Sequence, residues 1–160
     1  MDIKKIILEE IDDFDWAKEH KVDPKEIIQF ITDNQIEVWN FGEYFEGDIN
    51  FYNKKSSLKS LGNLKTVKGN IDLSESPLED LGELTRVDGF LNLDKTKLKS
   101  LGNLEHVSGF LGLYSVDIKD FGDLKSVGDF LLITDTKIPY TEDEIREIVH
   151  VGGTIYGVVK

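Results

Sequence analysis

Between Leu61 and Tyr140 the apolar positions of the chain return at a fixed interval of 20 residues. The unit opens as Leu61-Gly62-Asn63-Leu64 and is written again as Leu81-Gly82-Glu83-Leu84, Leu101-Gly102-Asn103-Leu104 and Phe121-Gly122-Asp123-Leu124. Six columns stay apolar in every copy; in the first copy they are Leu61, Leu64, Val67, Ile71, Leu73 and Leu78. Such a period marks a solenoid, in which each coil buries its apolar side only by stacking on its neighbours. Within a copy, Ile71 and Leu73 alternate with Asn70, Asp72 and Ser74. This period of two predicts one short strand per coil with one face buried. Stacked coils then gather the strands into a single parallel sheet.

Glycine precedes the strand at Gly69, Gly89 and Gly109, which predicts a tight corner with permissive dihedrals. The fourth copy has Asp129 there and Gly128 one place earlier. Ser76, Thr96 and Thr136 follow the strand, where a hydroxyl can tie the descending loop to its neighbour. Val116 breaks that row.

The flanks carry helical patterns. Ile3, Ile6, Ile7, Ile11 and Phe14 fall at helical spacing. Asp23-Pro24-Lys25-Glu26 opens a second helix, with Asp23 as cap, Pro24 in the first turn and Glu26 completing a reciprocal box; Asp33-Asn34 ends it. Ile36 to Phe41 reads as a strand. Gly47 to Tyr52 matches Gly69 to Ser74 at an offset of 22, with two extra residues placed within Asn53 to Ser57. Thr141-Glu142-Asp143-Glu144 forms another capping box, and Val151 to Ile155 echoes Val127 to Leu131 at an offset of 24. The expected architecture is an α/β solenoid of one structural domain. Residues 1–35 form an N-terminal helical cap and 141–160 a C-terminal cap of a short helix plus a final strand. Between them, 36–140 form the coils, near 36–60, 61–80, 81–100, 101–120 and 121–140.

At Leu91-x-Leu93-x-x-Thr96-x-Leu98 the repeat resembles half of the leucine-rich repeat, with Thr where that motif usually carries Asn. The other half departs from it: Leu84-x-x-Val87-x-Gly89-x-Leu91 is spaced more like the short coils of receptor L domains. The resemblance implies a leucine-rich-repeat-like scaffold. It leaves the ligand open, since such scaffolds bind proteins, peptides and other ligands. A second resemblance, of Ile11-Asp12-Asp13-Phe14-Asp15-Trp16 to an N-terminal element of small tailed-bacteriophage proteins, implies a phage-encoded factor acting on a host protein, including a defence component.

Composition narrows the class. At 160 residues with 39% hydrophobic content the chain suits one soluble domain. No apolar run approaches the ~18 residues of a membrane span. Met1-Asp2-Ile3-Lys4-Lys5 does not read as a signal peptide, and cysteine is absent, so a cytoplasmic home is expected, the host cytoplasm if the chain is phage-encoded. The net charge of −12 disfavours phosphate backbones and favours a basic partner. Asp12, Asp13 and Asp15 lack calcium-loop spacing. His20, His106 and His150 stand apart in the sequence, and neither a Gly-x-Ser-x-Gly elbow nor a phosphate loop is present. Neither an enzymatic activity nor a cofactor or metal is expected.

Function is sought where the coil needs nothing for itself. If Leu91 and Leu93 point inward, Phe90 points out, and so do Phe110 and Phe130 in its column. Leu132, Tyr114, Tyr156 and Tyr52 extend this face, and Asp72, Asn92 and Asp94 add an acidic, amide-rich side. Aromatic anchors beside acids suit a protein partner with a basic and apolar patch. The expected function is non-enzymatic protein binding. The alternatives left open are a self-assembling protein joined through the phenyl rings, with homo-oligomers, and an acidic mimic of nucleic acid.

Overall fold

The computed structural model describes residues 22–159. The helix expected over Ile3–Phe14, the carboxylates of Asp12, Asp13 and Asp15, and His20 lie outside them. The described chain is a parallel β-solenoid of about six turns with coils of about 20 residues. After α1 (Pro24–Asp33), each turn contributes two short strands. The first of each pair are β1 (Tyr44–Glu46), β3 (Thr66–Lys68), β5 (Arg86–Val87), β7 (His106–Val107), β9 (Ser126–Val127) and β11 (His150–Val151). The second are β2 (Ile49–Asn50), β4 (Ile71–Asp72), β6 (Leu91–Asn92), β8 (Leu111–Gly112), β10 (Leu131–Leu132) and β12 (Ile155–Tyr156). A second helix, α2 (Glu142–Ile148), precedes the last turn.

One sheet was expected and two are present. Sheet 1 runs β1-β3-β5-β7-β9-β11 and sheet 2 runs β2-β4-β6-β8-β10-β12, both parallel throughout. The missed strand lies on the valine column. A single buried residue such as Val87, flanked by exposed Arg86 and Asp88, is too short an alternation to signal a strand. With only two short helices among the described residues, the class is β-solenoid rather than α/β. No helix among them is long and apolar enough to cross a membrane.

The six apolar columns are the core. From Leu61 to Ile138 every member is exposed by 5% or less. In the first turn Trp39, Phe45, Ile49, Phe51 and Leu58 take over these columns, and Trp39 packs edge-on against Phe41 and Phe45. The strand expected over Ile36–Phe41 reduces to one bridge from Val38 to Ser60. α1 adds Ile27, Ile28 and Ile31 to the same core cluster. Asp23 caps it by accepting from the Lys25 amide at 2.9 Å. The reciprocal contact expected from Glu26 does not form; the Glu26 amide bonds the Asp23 carbonyl instead. At α2 the box is complete, with the Thr141 amide donating to Glu144 at 2.8 Å. Arg146 then fastens α2 to the last turn by donating to the carbonyls of Val151 at 2.8 Å and Gly153 at 3.0 Å.

The offsets hold. Ile49 pairs with Ile71 and Ser126 with His150, whereas the Glu79 amide already bonds the Lys59 carbonyl at the regular interval. The two extra residues therefore fall between Asn53 and Leu58. There Gln35 donates to the Lys55 carbonyl at 3.0 Å and accepts from the Ser57 hydroxyl at 2.5 Å.

Two local expectations are corrected. Gly69 lies outside the left-handed region; it is required because a Cβ there would sit 2.1 Å from the Gly47 carbonyl oxygen. The hydroxyls of Thr96 and Thr136 donate within their own coil, to Leu93 at 2.7 Å and Ile133 at 2.8 Å, not to a neighbouring one. The left-handed positions lie elsewhere: Asn53, Glu75, Lys95, Ser115 and Asp135 take φ values of 56° to 59°, and Gly62, Gly82, Gly102 and Gly122 take 47° to 55°.

Charged residues connect the coils on the outside. Glu37–Lys59, Glu43–Lys65, Glu75–Lys95 and Glu105–Lys125 each pair at 2.9 Å between successive turns. Asp117 is held by Lys137 and Lys99 together, which lowers its pKa from 3.8 to about 2. Exposed pairs of this kind contribute little individually.

Three stability measurements follow from this packing. Leu111→Ala in the fully buried column costs about 2 to 5 kcal/mol in urea unfolding. Ser115→Gly relieves a left-handed non-glycine and raises stability by about 1 kcal/mol; an unchanged midpoint would show that the turn is not strained. Because the folded-state pKa of Asp117 is depressed, its stabilising contribution is in force above about pH 4 and is lost as pH falls through about 2. The gap in urea midpoint between the parent and Asp117→Asn therefore closes over that window, and a gap independent of pH contradicts the assignment.

Candidate functional site

Strand register places the outward residues of sheet 2 in columns. The residue before each strand gives Asp48, Asn70, Phe90, Phe110, Phe130 and Thr154. The second strand residue gives Asn50, Asp72, Asn92, Gly112, Leu132 and Tyr156. Two positions further stand Tyr52, Ser74, Asp94 and Tyr114.

The phenyl rings lie outside the core and in register. Phe90 and Phe110 stack with centroids 4.7 Å apart and planes within 9°; Phe110 and Phe130 stack at 4.6 Å and 4°. These distances match the spacing of hydrogen-bonded strands, so the sheet itself sets the stack. Tyr156 meets Phe130 edge-on at 5.9 Å and is half exposed. The rings are only partly exposed, because each covers a face of the next.

The same column shows two ways of joining coils. In the early turns side chains do it: Asp48 accepts from the Asn70 amide at 2.8 Å and Asn70 from the Phe90 amide at 3.0 Å. Where phenylalanine takes over, the backbone closes instead. Gly109 donates to Gly89 at 2.9 Å, Asp129 to Gly109 at 3.2 Å and Gly153 to Asp129 at 3.0 Å.

Away from the rings, Tyr52, Asp72, Asn92, Asp94 and Tyr114 come together around an open depression of about 310 Å³, joined by Ser74, Glu75 and Lys95. The Asp72 carboxylate accepts from the Ser74 amide at 3.1 Å and the Ser74 hydroxyl at 2.6 Å. Asn92 accepts from the Asp94 amide at 3.2 Å, and Asp94 from the Tyr114 amide at 2.8 Å. Gly112 makes room for this arrangement, since a Cβ there would lie 2.8 Å from both Asn92 Oδ1 and Asp94 Oδ1. Partial burial pushes the Asp94 carboxyl pKa up, against the Tyr114 amide, and neighbouring Asp72 adds to the rise.

The face is therefore two subsites. Phe90, Phe110, Phe130 and Tyr156 form an aromatic row with Leu132 partly exposed in the adjacent column; Tyr52, Asp72, Asn92, Asp94 and Tyr114 form the polar depression. Tyr114 belongs with the acids rather than with the rings. Ser74, Glu75, Lys95 and Gly112 were missed by sequence reasoning. Gly112 alone gave a signal, as the one glycine in a column of Asn, Asp, Leu and Tyr.

On sheet 1, His106 Nδ1 lies 2.9 Å from the Ser126 hydroxyl, and its Nε2 lies 3.8 Å from Glu105. The second distance is too long for a hydrogen bond. No group of three or more His, Asp or Glu among the described residues is placed to hold a metal ion.

Comparison of the chain with protein families, with curated proteins and with solved structures finds no match in any of the three. The family resemblance stays at the level of the repeat residues.

The stack sets a graded expectation for stability. Phe110 has two stacked neighbours and Phe90 one, and each such pair contributes about 0.5 to 1.5 kcal/mol. Phe110→Ser therefore lowers unfolding free energy by about 0.5 to 1.5 kcal/mol more than Phe90→Ser does; equal losses would show that the stacking is energetically silent.

Proposed function

We propose that this protein is a non-enzymatic protein-binding module that docks a partner on the outward face of sheet 2. The observation that carries the reading is one sheet face bearing two unlike subsites: a row of partly exposed aromatic rings and, beside it, a depression with three carboxylates. A partner with an apolar anchor next to a basic group complements both. The net charge of −12 draws such a partner in and repels acidic competitors.

The scaffold is used here as leucine-rich repeats and receptor L domains use theirs, with α1 and the α2–β11–β12 segment serving as covers for the two ends of the core. Placing the protein in a host cytoplasm as a phage-encoded inhibitor extends the same reading. That extension rests on residues 11–16, outside the described part of the chain.

The test is a pull-down from native lysate at physiological salt and at 0.5 M salt, with the parent and the Phe110→Ser/Phe130→Ser variant. Retention by the parent at both salts, lost in a variant that remains folded by circular dichroism, supports docking on the rings. Capture that vanishes with salt for parent and variant alike points to nucleic-acid mimicry. A concentration-dependent mass in sedimentation that the double variant abolishes, with no partner captured, points to self-assembly through the rings.

A further inference from the structure

We infer that the last turn of the solenoid is an interface between two copies of this chain, joined β12 against β12 in an antiparallel pair. The two sheets end differently there. In sheet 1 the Gly152 amide donates back to the Val127 carbonyl at 2.9 Å and the Gly153 amide to the Asp129 carbonyl at 3.0 Å. The carbonyls that a further coil would use, those of Val151 and Gly153, instead accept from the Arg146 guanidinium at 2.8 and 3.0 Å. Arg146 thus stands in for the missing amides and closes that edge. In sheet 2 each coil donates forward: the Leu131 amide bonds the Thr154 carbonyl at 3.0 Å and the Ile133 amide the Tyr156 carbonyl at 2.9 Å. The corresponding donors of the last turn, the amides of Ile155 and Gly157, find no acceptor among the described residues. The Ile155 carbonyl faces the same way as its amide, so β12 presents a free donor and a free acceptor side by side. Edge strands are usually blunted by Lys, Pro or a bulge. Here the chain carries no Asp, Glu, Lys, Arg or Pro from Ile148 to Val159. Of the five large apolar side chains left about half exposed among the described residues, Ile148, Tyr156 and Val159 lie in this stretch.

Charge and local sequence together select a second copy as the occupant. At a net charge of −12 two copies repel wherever acidic surfaces meet, and the last turn is an end at which they can touch without that cost. The strand also matches itself. Gly153-Thr154-Ile155-Tyr156-Gly157 reads nearly alike in both directions about Ile155. With a two-fold axis there, Ile155 exchanges its N–H and C=O with the partner's Ile155, the arrangement of a hydrogen-bonded antiparallel pair. Glycine then faces glycine on either side, so no side chain obstructs the approach, and exposed Tyr156 comes opposite exposed Thr154, a favourable cross-strand pair. Ile155 is inward in both copies, so the two sheets continue one another with their outward faces on one side. Growth stops at two. The opposite end of the solenoid is occupied by α1, whose Pro24 ring would lie 2.7 Å from a Cβ on Gly47. That end also carries Glu37, Glu43, Glu46 and Asp48, so head-to-tail addition meets a helix and like charge.

The experiment is sedimentation equilibrium of the full chain at physiological salt, with amide hydrogen exchange on the same samples. The mass of the parent is expected to rise from 18.2 kDa toward twice that value over about a hundredfold increase in concentration. Over the same range the Ile155 amide, open in the monomer, exchanges several times more slowly. Thr154→Glu, an exposed substitution that sets an acid beside the axis in both copies, holds the chain at the monomer mass while its thermal midpoint stays that of the parent. Phe110→Ser/Phe130→Ser still dimerises, because its rings lie outside the interface. A parent that stays monomeric throughout overturns the inference, as does a dimer that Thr154→Glu leaves intact or one in which Ile155 exchange ignores concentration. A dimer that the ring variant abolishes and Thr154→Glu does not places the contact on the rings and overturns it too. The docking face is judged apart: partner capture that depends on the rings in a monomeric chain sinks this inference alone, and a β12 dimer whose ring variant captures partner normally sinks only the reading of the rings.

Discussion

Each coil of this protein comes so close to the next that backbone meets backbone, and that approach governs the rest of the structure. A Cβ on Gly69 would overlap the Gly47 carbonyl, and one on Gly128 would lie 2.1 Å from the Ser108 carbonyl oxygen. Only with the coils this near can both sheets hydrogen-bond through every turn. The apolar columns then close into one interior with members 5% exposed or less. The hydrophobic effect supplies the drive, and the repeat of close backbone contacts supplies the register. The coil over 121–140 keeps the contact although its glycine has moved by one residue, which shows that the position is required for the approach itself and not for a particular corner dihedral.

The repeat made most of this legible from the sequence. Columns such as that of Ile71, Leu91 and Leu111 are buried because alternation and period agree, and the offsets of 22 and 24 at the two ends set the pairing of Ile49 and His150 by arithmetic alone. What stayed hidden had no periodic signature of its own. Sheet 1 escaped because each of its strands buries a single residue, Phe45 in the first and a valine in the others, which is too short an alternation to read. The segment Ile36–Phe41 looked like a strand because its aromatic and branched residues suit one; Trp39 and Phe41 instead pack edge-on against each other in the core of the first turn. The site was half legible. Alternation put Phe90, Phe110 and Phe130 outside, but it could not show that they would cover one another. Nor could it gather Tyr52 with Tyr114, which are brought together only by the stacking of intervening coils.

The outward face of sheet 2 shows how a repetitive scaffold becomes particular. The interior columns hardly vary, so the coils differ where side chains leave the sheet. Asp48 and Asn70 bond the following coil, Phe90 begins a stack, and Gly112 opens space for the acids below it. Both the polar and the aromatic solutions satisfy the same spacing. Exchanging one for the other therefore alters the chemistry offered to a ligand without asking the core to move.

The two extra residues between Asn53 and Leu58 illustrate a separate freedom. They sit after sheet 2 and before the next buried leucine, anchored by Gln35, and neither sheet shifts to accommodate them. Length is tolerated at that corner because both neighbouring strands are already locked by their own ladders. The corner is accordingly a socket into which a longer loop can be grafted, giving an engineer a place to add a new recognition element beside Tyr52 while the stacked turns remain in step.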